Sequence, residues 1–211
     1  MIQLYTWGTP NGRKIPIMLE ELGLPYAVHP INIGKDEQFA PAFLAISPNN
    51  KIPAIVDDDA PGGPLAIFES GAILVYLAEK SGRFLAASGP ARYRTLEWVF
   101  WQVGGLGPML GQLNFFAVRS KEKAPLAIQR FTEEADRLLG VLDRRLSEAR
   151  YLAGEEYTIA DIATYAWTLA STTLLAEVLA ESLATKPEVA RWLNLVGGRP
   201  AVQRGMAVPK L

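Results

Sequence analysis

The stretch Ile52–Gly82, IPAIVDDDAPGGPLAIFESGAILVYLAEKSG, decides the fold. Two short β-prone runs, IPAIVD (Ile52–Asp57) and LAIFES (Leu65–Ser70), flank DDAPGG (Asp58–Gly63), a cluster of turn residues. That arrangement predicts two strands separated by a turn. SGAILVYLAEKSG then reads as a helix opened by a capping serine, Ser70, and closed by Gly82.

Upstream, strand and helix signals alternate. IQLYTW (Ile2–Trp7) is short and β-prone. IPIMLEELGL (Ile15–Leu24) places Ile15, Met18, Leu19 and Leu22 at helical spacing and ends at Gly23. YAVHPINI (Tyr26–Ile33) predicts a second strand, and a short helix is expected around Pro41–Ala45. The order β-α-β-α-β-β-α is that of a small thioredoxin-like α/β domain, expected over residues 1–80.

SGRFLAASGPA (Ser81–Ala91) reads as a linker, and residues 92–211 show no convincing strand. Residues 92–116 and 124–149 predict long amphipathic helices. In the second, Ile128, Phe131, Ala135, Leu138, Leu142 and Leu146 recur at three- and four-residue steps. Residues 157–180 are apolar on most faces and predict the central helix of an all-helical domain, with Thr158-x-x-Asp161 as its capping box. A shorter helix is expected over 186–200.

Composition excludes several classes of function. With 21 basic and 22 acidic residues there is no charge excess to draw nucleic acid or anionic lipid. Zero cysteines exclude disulfides, thiolate zinc sites and a protein thiol nucleophile. One histidine, His29, makes a metal site unexpected. The most apolar stretch, residues 159–180, carries Asp161 and Glu177 and reads as a buried helix. The opening residues do not read as a secretory leader, so the expected compartment is the cytoplasm.

Five segments, TPNGRKI (9–15), SPNNKIPAI (47–55), FESGAILVYLAEK (68–80), GGLGPMLGQ (104–112) and YTIADIA (157–163), occur in an order that resembles the cytosolic glutathione transferases. The resemblance covers essentially the whole chain. It is greatest to the bacterial Nu class, glutathione-dependent enzymes that often act as disulfide-bond oxidoreductases. It implies a cytoplasmic homodimer using glutathione and no metal, with a small disulfide or electrophile as second substrate. The alternatives are a conjugating transferase without disulfide activity and a non-enzymatic glutathione-binding regulator.

The resemblance also implies roles for individual residues. Pro53 is expected to be cis, with Ile52 offering its backbone to the cysteinyl part of glutathione; by pattern alone Pro53 reads equally as an edge-strand proline. Ser70 and the N–H groups beside it would take the γ-glutamyl carboxylate, and Glu69 the ammonium. The bland reading makes Ser70 a cap and Glu69 a first-turn acid. Lys51 and Gln38 would hold other polar ends of the tripeptide.

Thr9 and Asn11 would stabilise the glutathione thiolate with hydroxyl and amide donors at a helix N-terminus, which lowers a thiol pKa; turn statistics alone make Asn11-Gly12 a plain turn. Arg130 reads by pattern as a solvated helix residue, whereas the resemblance implies that it reaches glutathione in the partner subunit. Tyr5 and His29 read as strand residues. The glycines of residues 104–111 are expected to allow close helix packing, with Pro108 bending the helix, and Phe115 and Phe116 serve either the second-substrate pocket or the core.

Overall fold

A computed structural model describes residues 1–210. The first unit comprises Met1–Ala87 with Gly198–Leu211, and the second Ser88–Gly197. In the first, β1 (Ile2–Thr6), α1 (Pro10–Leu22), β2 (Tyr26–Pro30), the short α2 (Pro41–Leu44), β3 (Ala54–Asp57), β4 (Leu65–Phe68) and α3 (Ser70–Ser81) follow the expected order. The sheet runs β2-β1-β3-β4; β1 pairs parallel with β2 and antiparallel with β3, which pairs antiparallel with β4.

Strand β1 buries Ile2, Leu4 and Thr6 on its core face. Helix α1 buries Ile15, Ile17, Met18 and Leu19, and ends on Gly23 at φ 67°, a left-handed position that glycine takes without strain. His29 lies in β2 with its ring stacked on Tyr5, centroids 4.6 Å apart, and its Nε2 is 2.8 Å from Gln3 Oε1. Both are strand residues, as expected.

The register sets the geometry of one sheet end. Tyr5 pairs with Ala54, and Ala54 with Phe68. Thr6 pairs with Pro30. The chain leaving β1, β2 and β4 and the chain entering β3 therefore meet at the same end, the end that carries residues 7–11, 31–40, 50–53 and 69–70.

The second unit is helical. It contains α4 (Gly89–Trp101), a wide π-type turn (Gln102–Leu106), α5 (Gly107–Leu113), another wide turn (Asn114–Arg119), α6 (Pro125–Glu148), α7 (Ile159–Ser171), α8 (Ala180–Ala184) and α9 (Pro187–Gly197). Its core joins Leu106, Leu110 and Leu113 to Ala135, Leu138, Leu139, Leu175 and Leu179. The expected capping box is present: the Thr158 side chain accepts from Ala160 N, and the Asp161 carboxylate accepts from Thr158 N at 3.0 Å. Asp161, fully buried, also accepts from Leu152 N at 3.1 Å and Trp192 Nε1 at 2.9 Å. Gly107 and Gly111 admit the Trp167 ring: a Cβ at either would lie 3.1 Å or 3.3 Å from it.

Three sequence expectations need correction. The helix expected over residues 92–116 is divided by the wide turn at Gln102–Leu106, with Pro108 in the first turn of α5. The helix expected over 157–180 stops at Ser171, where the Thr172 and Thr173 hydroxyls both donate to the Leu169 carbonyl and offer the backbone an alternative to continued helix. The closing segment, expected in the helical domain, belongs to the first unit. There α10 (Pro200–Met206) lies against α1 so closely that a Cβ on Gly205 would come within 2.5 Å of the Ile17 backbone. Arg199 pairs with Glu21 and Arg204 with Glu20, each at 2.6 Å.

Candidate functional site: one end of the sheet

Thr9 is the N-cap of α1, accepting from Gly12 N at 3.1 Å, and Pro10 follows in the first turn, where its missing N–H costs nothing. Asn11 is therefore the second residue of the helix, within its first turn, and not the cap. Pro16 lies farther along and cannot donate to the carbonyl of Gly12, its helical partner four residues back. The Thr6 hydroxyl supplies the missing bond instead, reaching Gly12 O at 2.8 Å in a buried position. Thr9 N donates to Trp7 O at 2.7 Å. Thr6 and Pro16 thus fix the entry of α1 from both sides. Because the Thr9 oxygen already accepts from Gly12, its own hydrogen remains available to a group outside the helix.

Residues 47–53 are held next to this turn. Ser47 Oγ donates to Lys51 O at 2.9 Å, Asn50 turns the chain at φ 48°, and the Ile52–Pro53 peptide is cis. Ile52 precedes the ladder, which begins at Ala54, so its N–H and C=O are outside sheet pairing. Lys51 is exposed and Pro53 buried. Gln38 sits in a short 3₁₀ turn, with Nε2 3.4 Å from Asp36 Oδ1; its Oε1 is buried and has no partner among the described residues.

At the start of α3 the expectation of a capping serine is corrected. Glu69 occupies the N-cap position at φ 73°, ψ 113°, makes no capping bond with its side chain, and Ser70 is the first helical residue. A non-glycine residue at positive φ costs of order 1–3 kcal/mol and persists where the surroundings over-determine it. Its effect here is to leave the Glu69 carboxylate exposed at the sheet end instead of folded onto the helix. Ser70 is buried, 7% exposed.

A residue missed from the sequence stands behind it. Lys14 is 1% exposed and donates from Nζ to Ser70 Oγ at 3.2 Å. Burial pushes its ammonium down to about 7, while the Glu69 carboxylate raises it. The available signal was spacing: Lys14 falls three and four residues before Ile17 and Met18, on the buried stripe.

Of the sequence-derived site residues, Thr9, Asn11, Gln38, Lys51, Ile52, Pro53, Glu69 and Ser70 all lie in the connections at this one sheet end. Arg130 lies in α6 of the second unit, 65% exposed, with a 3.8 Å ion pair to Glu134 whose shorter bonds go to Arg137, at 2.7 and 2.8 Å. Phe116 stacks on Phe131 and meets Phe115 edge-on, and Phe115 is half exposed. No group of three or more potential metal ligands exists among the described residues.

Residues 9–80 match the family model for the glutathione S-transferase N-terminal domain, and residues 108–200 that for the C-terminal domain. The disulfide-bond oxidoreductase YfcG of Escherichia coli is 49% identical, aligned over 100% of this chain and 97% of its own length. The chain belongs to the glutathione S-transferase family. A second disulfide-bond oxidoreductase of E. coli, YghU, is 43% identical over 98% of this transferase and 74% of its own length. Among solved structures, a glutathione transferase family member from Pseudomonas fluorescens with two glutathiones bound superposes with a TM-score of 0.94 at 48% identity, covering 99% of this chain and 93% of that one. One from Pseudomonas putida, with one glutathione disulfide per subunit, gives 0.91 at 46%, covering 99% and 91%. The fold is that of the glutathione transferases.

Proposed function

We propose that this transferase is a glutathione-dependent disulfide-bond oxidoreductase, acting as a cytoplasmic homodimer. The observation that carries the reading is the convergence of eight candidate residues on one sheet end, with a hydroxyl donor at a helix N-terminus and no protein cysteine to compete. Ser70 and the α3 N–H groups take the γ-glutamyl carboxylate, and Glu69 the ammonium. Ile52, beside Pro53, pairs with the cysteinyl backbone, and Lys51 and Gln38 bind the remaining polar ends. Thr9 and Asn11 donate to the sulfur.

A glutathione thiolate attacks one sulfur of a substrate disulfide. The new S–S bond is a mixed disulfide, and the departing thiolate leaves with the electron pair. A second glutathione thiolate attacks the mixed disulfide at the glutathione sulfur, releasing the other substrate thiol and forming glutathione disulfide. Two electrons pass from two glutathiones to one disulfide. The relatives named with two glutathiones, or with glutathione disulfide, hold the reactants and product of this exchange. A reducing compartment supplies the thiol, which favours the cytoplasm.

Glutathione with a small disulfide such as 2-hydroxyethyl disulfide should be turned over well above the uncatalysed rate. Because donors to sulfur act on its charged form, removing one raises the bound thiol's pKa. Asn11→Ala should therefore move the pH–rate profile to higher pH and slow turnover near neutrality, with glutathione affinity changed less. Thr9→Ser should keep most activity. Conjugation of a chloronitrobenzene without disulfide turnover would identify a plain conjugating enzyme, and glutathione binding with neither reaction a regulator.

The homodimer is supported by apolar side chains left exposed, Leu65 and Phe68 on edge strand β4 and Tyr93 and Phe100 on α4, and by the loosely held Arg130. A heterodimer of Arg130→Ala with Ser70→Ala subunits should keep one composite site at full affinity and weaken the other doubly. Two equal sites would show that Arg130 acts within its own subunit.

A further inference from the structure

Helix α1 buries an apolar face with one cationic exception, Lys14. A buried ammonium is costly, and the thiol chemistry above makes no use of it. Its Nζ donates to Ser70 Oγ at 3.2 Å in a buried position.

We propose that Lys14 is a positioning residue for the γ-glutamyl carboxylate: it turns the Ser70 hydroxyl hydrogen toward the ligand and supplies the buried positive charge that the anion meets. This rests on the reading that Ser70 receives that carboxylate. An ammonium carries three donors and no acceptor, so in the Lys14–Ser70 bond the serine oxygen accepts. The single serine hydrogen is then directed elsewhere, and a carboxylate at the start of α3 is the acceptor placed to receive it. A neutral, apolar side chain at position 14 would leave the hydroxyl free to rotate and the anion without its counter-charge.

Glu69 fits the same scheme. Its carboxylate attracts Lys14 from the exposed side, and the ligand's own ammonium competes for it on binding. The arriving carboxylate takes over as the negative neighbour of Lys14, which favours the charged form of the lysine. Lys14 thus matches the zwitterionic head of the tripeptide, carboxylate toward Ser70 and ammonium toward Glu69.

Titration calorimetry with two ligands tests this: glutathione, and an analogue in which 4-aminobutyrate replaces the γ-glutamyl unit and removes only that carboxylate. Lys14→Met should lose tenfold or more in affinity for glutathione and bind the analogue within about twofold of wild type. Ser70→Ala combined with Lys14→Met should lose less affinity than the two single losses multiplied together, because part of the Lys14 effect acts through Ser70. In wild-type protein labelled with ¹⁵N-lysine, the Lys14 ammonium resonance should move on adding glutathione and stay in place with the analogue, a measurement that needs no variant. Equal losses for both ligands, or a Lys14 resonance indifferent to glutathione, would overturn the assignment while leaving the function intact. Wild-type protein that binds no glutathione would overturn both.

Discussion

Asp161→Ala is expected to cost about 3–5 kcal/mol, on the scale of breaking a buried hydrogen-bonded charge. The carboxylate accepts from three N–H donors, Leu152, Thr158 and Trp192, and from the Thr158 hydroxyl at 3.3 Å, all in a buried setting. Alanine leaves those donors without a partner, opens a gap beside the largest buried side chain, Trp192, and removes the helix cap. In a chain of this length each kcal/mol moves Tm by roughly 2–4 °C, so melting should fall by about 10 °C. Asp161→Asn keeps one acceptor and should fall between. A second readout comes from pH. Burial pushes the Asp161 carboxyl up to about 6 against the pull of its donors. Between about pH 4 and 6 the folded protein therefore holds a proton that the unfolded chain has lost. The stability contributed by this group falls as pH rises through that window, and Asp161→Ala should lack that slope. A variant melting within 2 °C of wild type would remove Asp161 from its structural role.

Gly12→Ala should damage both stability and turnover. A Cβ there would overlap the Trp7 carbonyl and lie 2.8 Å from Thr6 Oγ1, and both are rigidly held. The Thr6 hydroxyl holds the Gly12 carbonyl that Pro16 cannot serve, and the Trp7 carbonyl accepts from Thr9 N. Relief requires moving the turn that carries Thr9 and Asn11. Overpacking of this kind costs about 1–3 kcal/mol, and displacing reactive groups by an ångström costs about a hundredfold in rate. Urea unfolding should show the first and disulfide turnover the second. Gly8→Ala is the control: nothing lies within 4 Å of its Cβ, so it should be close to neutral on both measures. If Gly12→Ala behaved like Gly8→Ala, the turn would be softer than its hydrogen bonds indicate.

Much of this architecture was legible because it is local. Turn residues at Asp58–Gly63 placed the β3–β4 connection, Gly23 ended α1, and Thr158-x-x-Asp161 marked the start of α7, each within a few residues of the feature it controls. The breaks at Gln102–Leu106 and after Ser171 were hidden, since apolar periodicity runs through both and only backbone hydrogen bonding reveals where the helix widens or stops. Ser70 shows a finer limit. Its position before an apolar run suits a cap, yet Glu69 takes that place through a positive φ that no residue type announces. Lys14 was hard to read for a different reason: its spacing places it on the buried stripe, but its partner is 56 positions away and lysine in a helix ordinarily signals solvent. The sheet-end grouping of Thr9, Ile52 and Ser70 follows from strand register, whereas the roles proposed for them come from family resemblance.

The docking of α10 on α1 has a consequence for the order of events at the ribosome. The first unit is written in two instalments, residues 1–87 and 198–211, with the whole of the second unit between them. At about 5–20 residues per second, the nascent chain waits of order ten seconds after finishing α3 before its last helix emerges. During that interval the Ile17 side of α1 lacks the cover that Gly205 later provides, and Glu20 and Glu21 lack their arginines. The sheet end that would bind glutathione is therefore synthesised early, but the helix beneath it is secured only after the whole of the second unit has been made.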